Sequence, residues 1–293
     1  MITLSVLSVI IALTMVLLSY FEEVQQDASE TKALIQADIF YADIVAVFKA
    51  FEDKKTLFSV LYRMALPLSS DDGRFSLVLQ CEPLRKGVNI NWLGLKPSGE
   101  NEVRLSLAQE LFESLAQEYN IADAGRLLEL IYDEMGGKGK FILKKQSRLH
   151  QKKGIIIYSQ FEEILSRYQF EVDDSEIGKV PWKQYFSFVP LSNAPKSEKI
   201  DVEYSSPELI SYIFGIDLLS VKEWSFAIDK QSLETFVNSN GGDYTEKKML
   251  FSGKEFLDES QCAVRYALDG VDYGFRFEYI KGGARYFEFY GKQ

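Results

Sequence analysis

His150 is the only histidine in the chain, so any histidine-dependent catalytic site must use it. A Ser-His-Asp triad needs a carboxylate that holds the imidazole in place. The neighbours of His150 are Leu149, Gln151 and Lys152, and none of them is acidic. We therefore interpret His150 as a solvent-exposed surface residue. The sequence motifs HExxH, GxSxG and GxGxxG are also absent, and we predict that the protein is not an enzyme.

A glycine- and lysine-rich run, residues 136–140 (GGKGK), has the composition of a phosphate-binding loop. A P-loop requires a longer spacing between its glycines and a Ser or Thr after the lysine, and both features are missing here. Glycine is also the residue that most often ends a helix. The run therefore predicts the end of a helix.

One loop, residues 238–243 (NSNGGD), carries several oxygen donors close together. Calcium takes six to eight oxygen ligands, and this loop has neither the EF-hand spacing nor its final glutamate. The composition favours an ordinary turn. We predict no cofactor, and Asn240 and Asp243 are only weak candidate metal ligands.

The two cysteines, Cys81 and Cys262, permit one disulfide bond. They do not form the cysteine framework of a disulfide-rich domain. Two buried thiols and a single bridge both stay open as interpretations.

Residues 138–153 form the one strongly basic stretch, and no acid interrupts them. The stretch is either a solvated surface or a docking patch for an acidic partner. The net charge of −10 argues against general binding to a polyanion. Phe141 is the only aromatic residue for base stacking, so we expect no direct nucleic-acid binding. The candidate patch residues are Lys138, Lys140, Lys144, Lys145, Arg148, Lys152 and Lys153.

The elements that would position such groups begin with a long N-terminal segment. Residues 1–66 contain no Gly and no Pro, and residues 1–21 carry no charged side chain. About 20 apolar residues suffice to cross a bilayer. No positive residue or small-residue cleavage site suggests a removable signal peptide. We predict a single-pass anchor with the body outside the cytoplasm, formed by Ile2, Leu4, Val6, Leu7, Val9, Ile10, Ile11, Leu13, Val16, Leu17 and Leu18.

The helical pattern continues beyond the apolar segment. Ala37, Tyr41, Ile44, Phe48 and Phe51 recur at intervals of three and four, which is typical of a helix with one buried face. We predict that this face packs with partner subunits. We also predict a second role for this helix, which is to cover the aromatic strands near the C-terminus.

Those strands give the clearest β pattern. Apolar and polar residues alternate through residues 262–290, and Asp269-Gly270 and Gly282-Gly283 mark two turns. The pattern predicts a three-stranded antiparallel meander with one aromatic face. A helix packed on a sheet buries the apolar surfaces of both, so we predict an α+β fold. Residues 75–80 and 88–92 predict two further short strands.

The middle of the chain is mainly helical. Two helices between residues 102 and 135 join near Asn120, and Ser206 with Pro207 marks another helix start. We predict a transmembrane helix over 1–21, a helix-plus-sheet body from 22–96 and 256–293, and a helical insertion over 97–255.

Several local features follow the order seen in the minor pseudopilin K family of type II secretion systems, a branch of the type IV pilin-like proteins. Residues 72–75 (DGRF) and 87–91 (GVNIN) resemble that family's strand pair ending in a G-K-I-N-x-N motif. Residues 128–133 (LELIYD), 185–189 (YFSFV) and 200–210 resemble later elements in the same order. The resemblance covers residues 1–217.

The resemblance implies a pilin-like fold and a non-enzymatic subunit in the inner membrane with its body in the periplasm. It implies that the subunit helps to initiate and cap a pseudopilus, in protein secretion or in a related DNA-uptake system. Its expected partners are the other minor pseudopilins of the tip, the inner membrane and the inner-membrane secretion platform. Calcium is a further expectation of the family, with no ligands placed. The alternative is a membrane-anchored sensor with an extracytoplasmic ligand-binding domain.

Overall fold

The computed structural model describes residues 2–69, 76–136, 154–191, 198–227, 230–253 and 255–292, with the backbone alone for residues 2–12 and 292. The chain divides into two compact units. Unit 1 consists of residues 1–82 and 258–293, and unit 2 consists of residues 83–257. The predicted insertion began at residue 97, whereas the division falls at Pro83.

Unit 1 is built on a long helix, α1 (Ile2–Ala50), which spans about 74 Å at 1.5 Å per residue. A short break precedes α2 (Lys54–Arg63). Asp53 caps α2, because its carboxylate accepts a hydrogen bond from the main-chain N–H of Thr56. The Lys54 ammonium donates to the last carbonyl oxygens of α1, which satisfies that helix end. Residues 2–63 therefore form two helices.

The sheet of unit 1 has five strands in the order β1-β2-β5-β6-β7. The pairs β1–β2, β5–β6 and β6–β7 are antiparallel, which confirms the predicted meander. Asp269 and Gly270 both have positive φ at the β5–β6 turn, as the type of turn expected for Asp-Gly requires. The strands are β1 (Leu66–Ser69), β2 (Ser76–Pro83), β5 (Glu259–Leu268), β6 (Val271–Ile280) and β7 (Gly283–Lys292).

A disulfide bond joins Cys81 on β2 to Cys262 on β5. Both residues are buried. The chain leaves unit 1 just after Cys81 and returns just before Cys262, so the bond joins the two strands that flank the inserted unit. This settles the interpretation that the sequence left open, in favour of the bridge.

Unit 2 is mainly helical, as predicted, and has its own hydrophobic core. The helices α3 and α4 are separated at Asn120, which has positive φ as the predicted break requires. Ser206 caps α7 by accepting from the N–H of Leu209, which confirms the predicted start. The helices are α3 (Glu100–Glu118), α4 (Ala124–Met135), α5 (Tyr158–Val172), α6 (Trp182–Tyr185), α7 (Pro207–Phe214), α8 (Leu218–Phe226) and α9 (Leu233–Ser239).

A short parallel pair within unit 2 links β3 (Val88–Asn89) to β4 (Phe186–Ser187). The strand predicted over residues 88–92 stops at Asn89, and a 3₁₀ helix (Ile90–Gly94) follows. The reason is that the Asn89 side chain accepts a hydrogen bond from the N–H of Asn91 and turns the backbone out of the strand.

The side chain of Asn91 then holds two other segments. Its amide group accepts from the N–H of Ile155 and donates to the carbonyl oxygens of Ile155 and Val189. Gly154 must be glycine there, because its φ is 99° and an added Cβ would lie 2.6 Å from Asn91 Oδ1. Two asparagines of the GVNIN run, Asn89 and Asn91, thus bind main-chain groups and fix the loops around them in unit 2.

A buried ion pair stands beside this centre. Arg85 Nη1 lies 3.0 Å from Glu198 Oε2, and the Trp92 indole N–H donates to the same oxygen. The Glu198 carboxylate is buried, and several hydrogen-bond donors surround it. These contacts offset the free-energy cost of removing its charge from water.

Candidate docking surface

Helix α1 extends away from the rest of unit 1. Every side chain of residues 13–28 is exposed, over about 24 Å of helix. Packing begins at Ser29, whose hydroxyl lies 3.1 Å from that of Tyr273, and at Lys32, which pairs with Asp269 at 2.6 Å. The helix is therefore an exposed stem over residues 13–28 and part of the body from residue 29 onward.

The inner face of α1 lies on the aromatic face of the sheet. Phe40 packs on Tyr266, and Tyr41 packs on Phe277, with ring centroids 5.3 and 5.2 Å apart. The Tyr266 hydroxyl donates to the carbonyl oxygen of Ala33. Burial, together with the charge of Asp38, raises the pKa of Tyr41. The fully buried residues on this face are Ala33, Ala37, Ile44 and Phe48.

These contacts decide between the two predicted roles of the apolar helix face. Ala37, Ile44 and Phe48 are buried within unit 1, and Tyr41 is half-buried against Phe277 and Phe287. They cover the meander of their own chain, so they are not free to pack with partner subunits. Phe51 is the exception, with 44% of its surface exposed.

The opposite face of α1 carries an apolar stripe that the periodicity analysis missed. At 3.6 residues per turn, its members lie within about 40° of one line along the helix. They are all exposed, and the sequence signal was present in their own spacing of three and four, apart from one interval of seven between Ala28 and Ile35. We call this the outer stripe: Leu17, Phe21, Val24, Ala28, Ile35, Ile39, Ala42 and Ala46.

The outer stripe is a suitable surface for another helix. Apolar side chains at intervals of three and four form the seam along which two helices pack. Ala28, Ala42 and Ala46 are small and permit a close approach. The exposed acids Asp27, Asp38 and Asp43 flank the stripe, so they would lie at the rim of such a contact.

Within the described residues, no helix contains a stretch both long and apolar enough to cross a membrane. The anchor predicted over residues 1–21 stays a prediction. Leu13, Val16, Leu17 and Leu18 are exposed on the stem. The other seven predicted anchor residues, Ile2, Leu4, Val6, Leu7, Val9, Ile10 and Ile11, belong to α1, and their side chains lie outside the described ones.

The remaining candidate sites stay predictions. All seven basic patch residues and His150 lie outside the described residues. Asn240 donates to the carbonyl oxygen of Phe236, and Asp243 accepts from the N–H of Thr245, as in an ordinary turn. In the described part of the chain, no group of three or more His, Cys, Asp or Glu side chains is arranged to hold a metal ion.

Comparison with solved structures then identifies the architecture. The chain is similar to a chain in the crystal structure of the GspK-GspI-GspJ complex from the type 2 secretion system of enterotoxigenic Escherichia coli. The TM-score is 0.50 and the identity is 11%, over 90% of this chain and 97% of that chain. The predicted resemblance to minor pseudopilin K is confirmed for the fold. At this identity the similarity shows the fold alone.

No protein-family model matches the chain, and no curated protein matches it. The similarity to the solved chain extends over both units, because it covers 90% of this chain.

Proposed function

We propose that this protein is a minor pseudopilin, a structural subunit of a pseudopilus in a type II secretion system or a related DNA-uptake system. One observation carries the proposal. Helix α1 packs its inner face on its own sheet and leaves the apolar outer stripe without cover in the described chain. A helix of this kind is ready to join other helices, and the K-type fold agrees with that role.

The partners in this proposal are the other minor pseudopilins and the inner-membrane secretion platform. The solved complex that supplies the fold match contains three proteins, GspK, GspI and GspJ. By analogy, we propose that the outer stripe binds the helices of two or more pilin-like subunits. The role is structural rather than catalytic.

We also propose that the N-terminal part of α1 anchors the subunit in the inner membrane, with the body in the periplasm. The support is the absence of charge over residues 1–21 and the full exposure of the stem. Membrane fractionation tests this point. Removal of residues 1–21 should transfer the protein from the membrane to the soluble fraction, and retention in the membrane would contradict it.

The proposed position is the tip of the pseudopilus. The support is the large helical unit inserted between β2 and β5, which adds bulk that would hinder further subunits. Cells that lack the protein should then assemble fewer or longer pseudopili. Filaments of unchanged number and length would contradict a tip role.

Co-purification with pilin-like subunits tests the central part of the proposal. Ile35 and Ile39 are 57% and 49% exposed, so an aspartate at either position should leave the fold intact and place a charge in a helix contact. We expect Ile35→Asp with Ile39→Asp to abolish co-purification. The matched control is Val60→Asp on α2, where the exposed fraction is 43%. Equal recovery of the partners with both variants would contradict the proposal.

A further inference from the structure

The exposed acids of α1 have almost no cations beside them along the helix. Residues 22–48 contain six acids and one cation, Lys32, which is already paired with Asp269 at 2.6 Å. Asp38 and Asp43 form no ion pair with any residue in the described part of the chain. Their charges are therefore available to a group that binds α1 from outside.

Asp38 and Asp43 lie on opposite sides of the outer stripe. Successive residues of a helix are about 100° apart, so the two acids are separated by about 140° around α1 and by about 7.5 Å along it. Ile35, Ile39 and Ala42 lie within this arc, and all five side chains are exposed. Over residues 35–43 the stripe is therefore bordered by one acid on each side.

A helix that packs on this part of the stripe brings its own flanks next to the two acids. Charged residues beside an apolar seam determine which helices pair, because opposite charges attract across the contact and like charges repel. A flank without a cation would leave Asp38 and Asp43 partly removed from water and unpaired. A lysine or arginine on each side of the partner's seam would pair with them.

A second copy of this chain is a poor partner by the same argument. In a parallel pair of identical helices, one flank of each helix faces the opposite flank of the other. Asp38 would then lie beside Asp43 of the second copy, and two-fold symmetry would repeat this contact on the other side of the seam. Both contacts would be repulsive.

We propose that the outer stripe binds a helix that carries a cation on each side of its apolar seam, and that Asp38 and Asp43 recognise those cations. The occupant is a helix of another pilin-like subunit and not a second copy of this chain. The inference rests on the proposed function, because it takes the outer stripe as the docking surface, and it adds the chemistry of the partner.

Co-purification of the full chain with pilin-like subunits, from cells that assemble the pseudopilus, tests this recognition. Asp38→Lys with Asp43→Lys, here called the reversed variant, should lower the recovery of those subunits by about tenfold. The matched control is Asp272→Lys with Glu223→Lys, which changes the net charge equally at exposed sites on β6 and α8. The control should recover the subunits as the natural protein does, and the same recovery from the reversed variant would overturn the proposal.

The dependence on salt separates a charge effect from a folding defect. Salt screens exposed charges, so recovery by the natural protein should fall as the salt concentration rises, and recovery by the reversed variant should rise. A variant that failed to fold would not regain its partners in high salt. Recovery that is independent of salt in both proteins would overturn the proposal.

The apolar variant Ile35→Asp with Ile39→Asp, measured in parallel, separates this inference from the proposed function. Loss of the subunits with the apolar variant but not with the reversed variant would leave the docking surface in place and overturn the recognition by charge. Retention of the subunits with both variants would overturn the docking surface as well.

Photo-crosslinking between two copies of the chain tests the exclusion of a second copy. One copy carries a photoreactive side chain at Ile39, and the other carries an affinity tag. We expect no crosslink between two natural copies and a crosslink between a natural copy and the reversed variant, because opposite charges then face each other. A crosslink between two natural copies, or none with the reversed variant, would overturn the proposal.

Discussion

Tyr41 and Phe277 pack edge to face, with ring centroids 5.2 Å apart and ring planes at 74°. Tyr41 belongs to the set that the periodicity predicted to bind partner subunits. The contact shows that this face of α1 instead completes the core of its own unit. Any partner helix must then use the opposite face of α1.

Phe48 and Phe51 offer a matched pair on α1. Phe48 is 2% exposed and contacts three aromatic rings, whereas Phe51 is 44% exposed. Phe48→Ala leaves a cavity and should lower the free energy of unfolding of unit 1 by about 3–5 kcal/mol. Phe51→Ala should change it by about 0.5 kcal/mol. Hydrogen exchange of β5–β7 in increasing urea measures both, and equal effects would contradict the assigned faces.

The disulfide should stabilise unit 1 selectively. Its cysteines are 181 positions apart, and a bond that closes a long loop contributes about 2–5 kcal/mol. Cys81→Ser with Cys262→Ser should lower the free energy of unfolding of unit 1 by that amount. All three tryptophans, Trp92, Trp182 and Trp224, lie in unit 2. Their fluorescence transition in urea should therefore stay unchanged, and a matching loss there would contradict the prediction.

The side chain of Asn91 should make a large contribution to the stability of unit 2. Replacement by alanine leaves buried main-chain groups of Ile155 and Val189 without partners. Each such group costs about 1–3 kcal/mol, so Asn91→Ala should destabilise unit 2 by about 3 kcal/mol or more. The control is Asn240→Ala, at an exposed site, which should cost less than about 1 kcal/mol. Tryptophan fluorescence in urea distinguishes the two variants.

Asp174 gives the stability of unit 2 a dependence on pH. Burial acts to raise its pKa, but donation from the N–H groups of Ala122 and Glu176 and from the Tyr168 hydroxyl outweighs it and lowers the pKa. The resulting stability is present above the ordinary aspartate pKa and is lost as the pH falls through the folded-state value.

Asp174→Asn should therefore destabilise unit 2 at pH 7, and its effect should diminish as the pH falls below the ordinary aspartate pKa of about 3.9. Urea denaturation of the natural protein and of the variant, at pH 7 and at a pH below the ordinary aspartate pKa, measures the difference in the free energy of unfolding. A constant difference at all pH values would show that the charge of Asp174 is not what stabilises unit 2.

The sequence predicted those parts of the fold that depend on local patterns. Alternation in residues 262–290 predicted the meander, and Ser206 with Pro207 predicted the start of α7. These signals are local, because strand alternation and helix capping depend on neighbouring residues.

The rest depends on contacts that local patterns do not reveal. Periodicity placed Ile44 and Phe48 on a buried helix face, but it did not decide whether their own sheet or a partner subunit buries them. The change to a 3₁₀ helix at Ile90 depends on the Asn89 side chain, which competes with the strand. The pairing of Arg85 with Glu198 joins distant positions, and nothing in the residue types identifies the partner.

The most direct test of the central claim is site-specific photo-crosslinking in cells that assemble the pseudopilus. A photoreactive side chain at Ile39 on the outer stripe is compared with one at Val60 on α2, which is similarly exposed. We predict that Ile39 yields a crosslink to a pilin-like subunit and that Val60 yields none. Crosslinks from Val60 with none from Ile39 would contradict the assignment of the outer stripe as the docking surface.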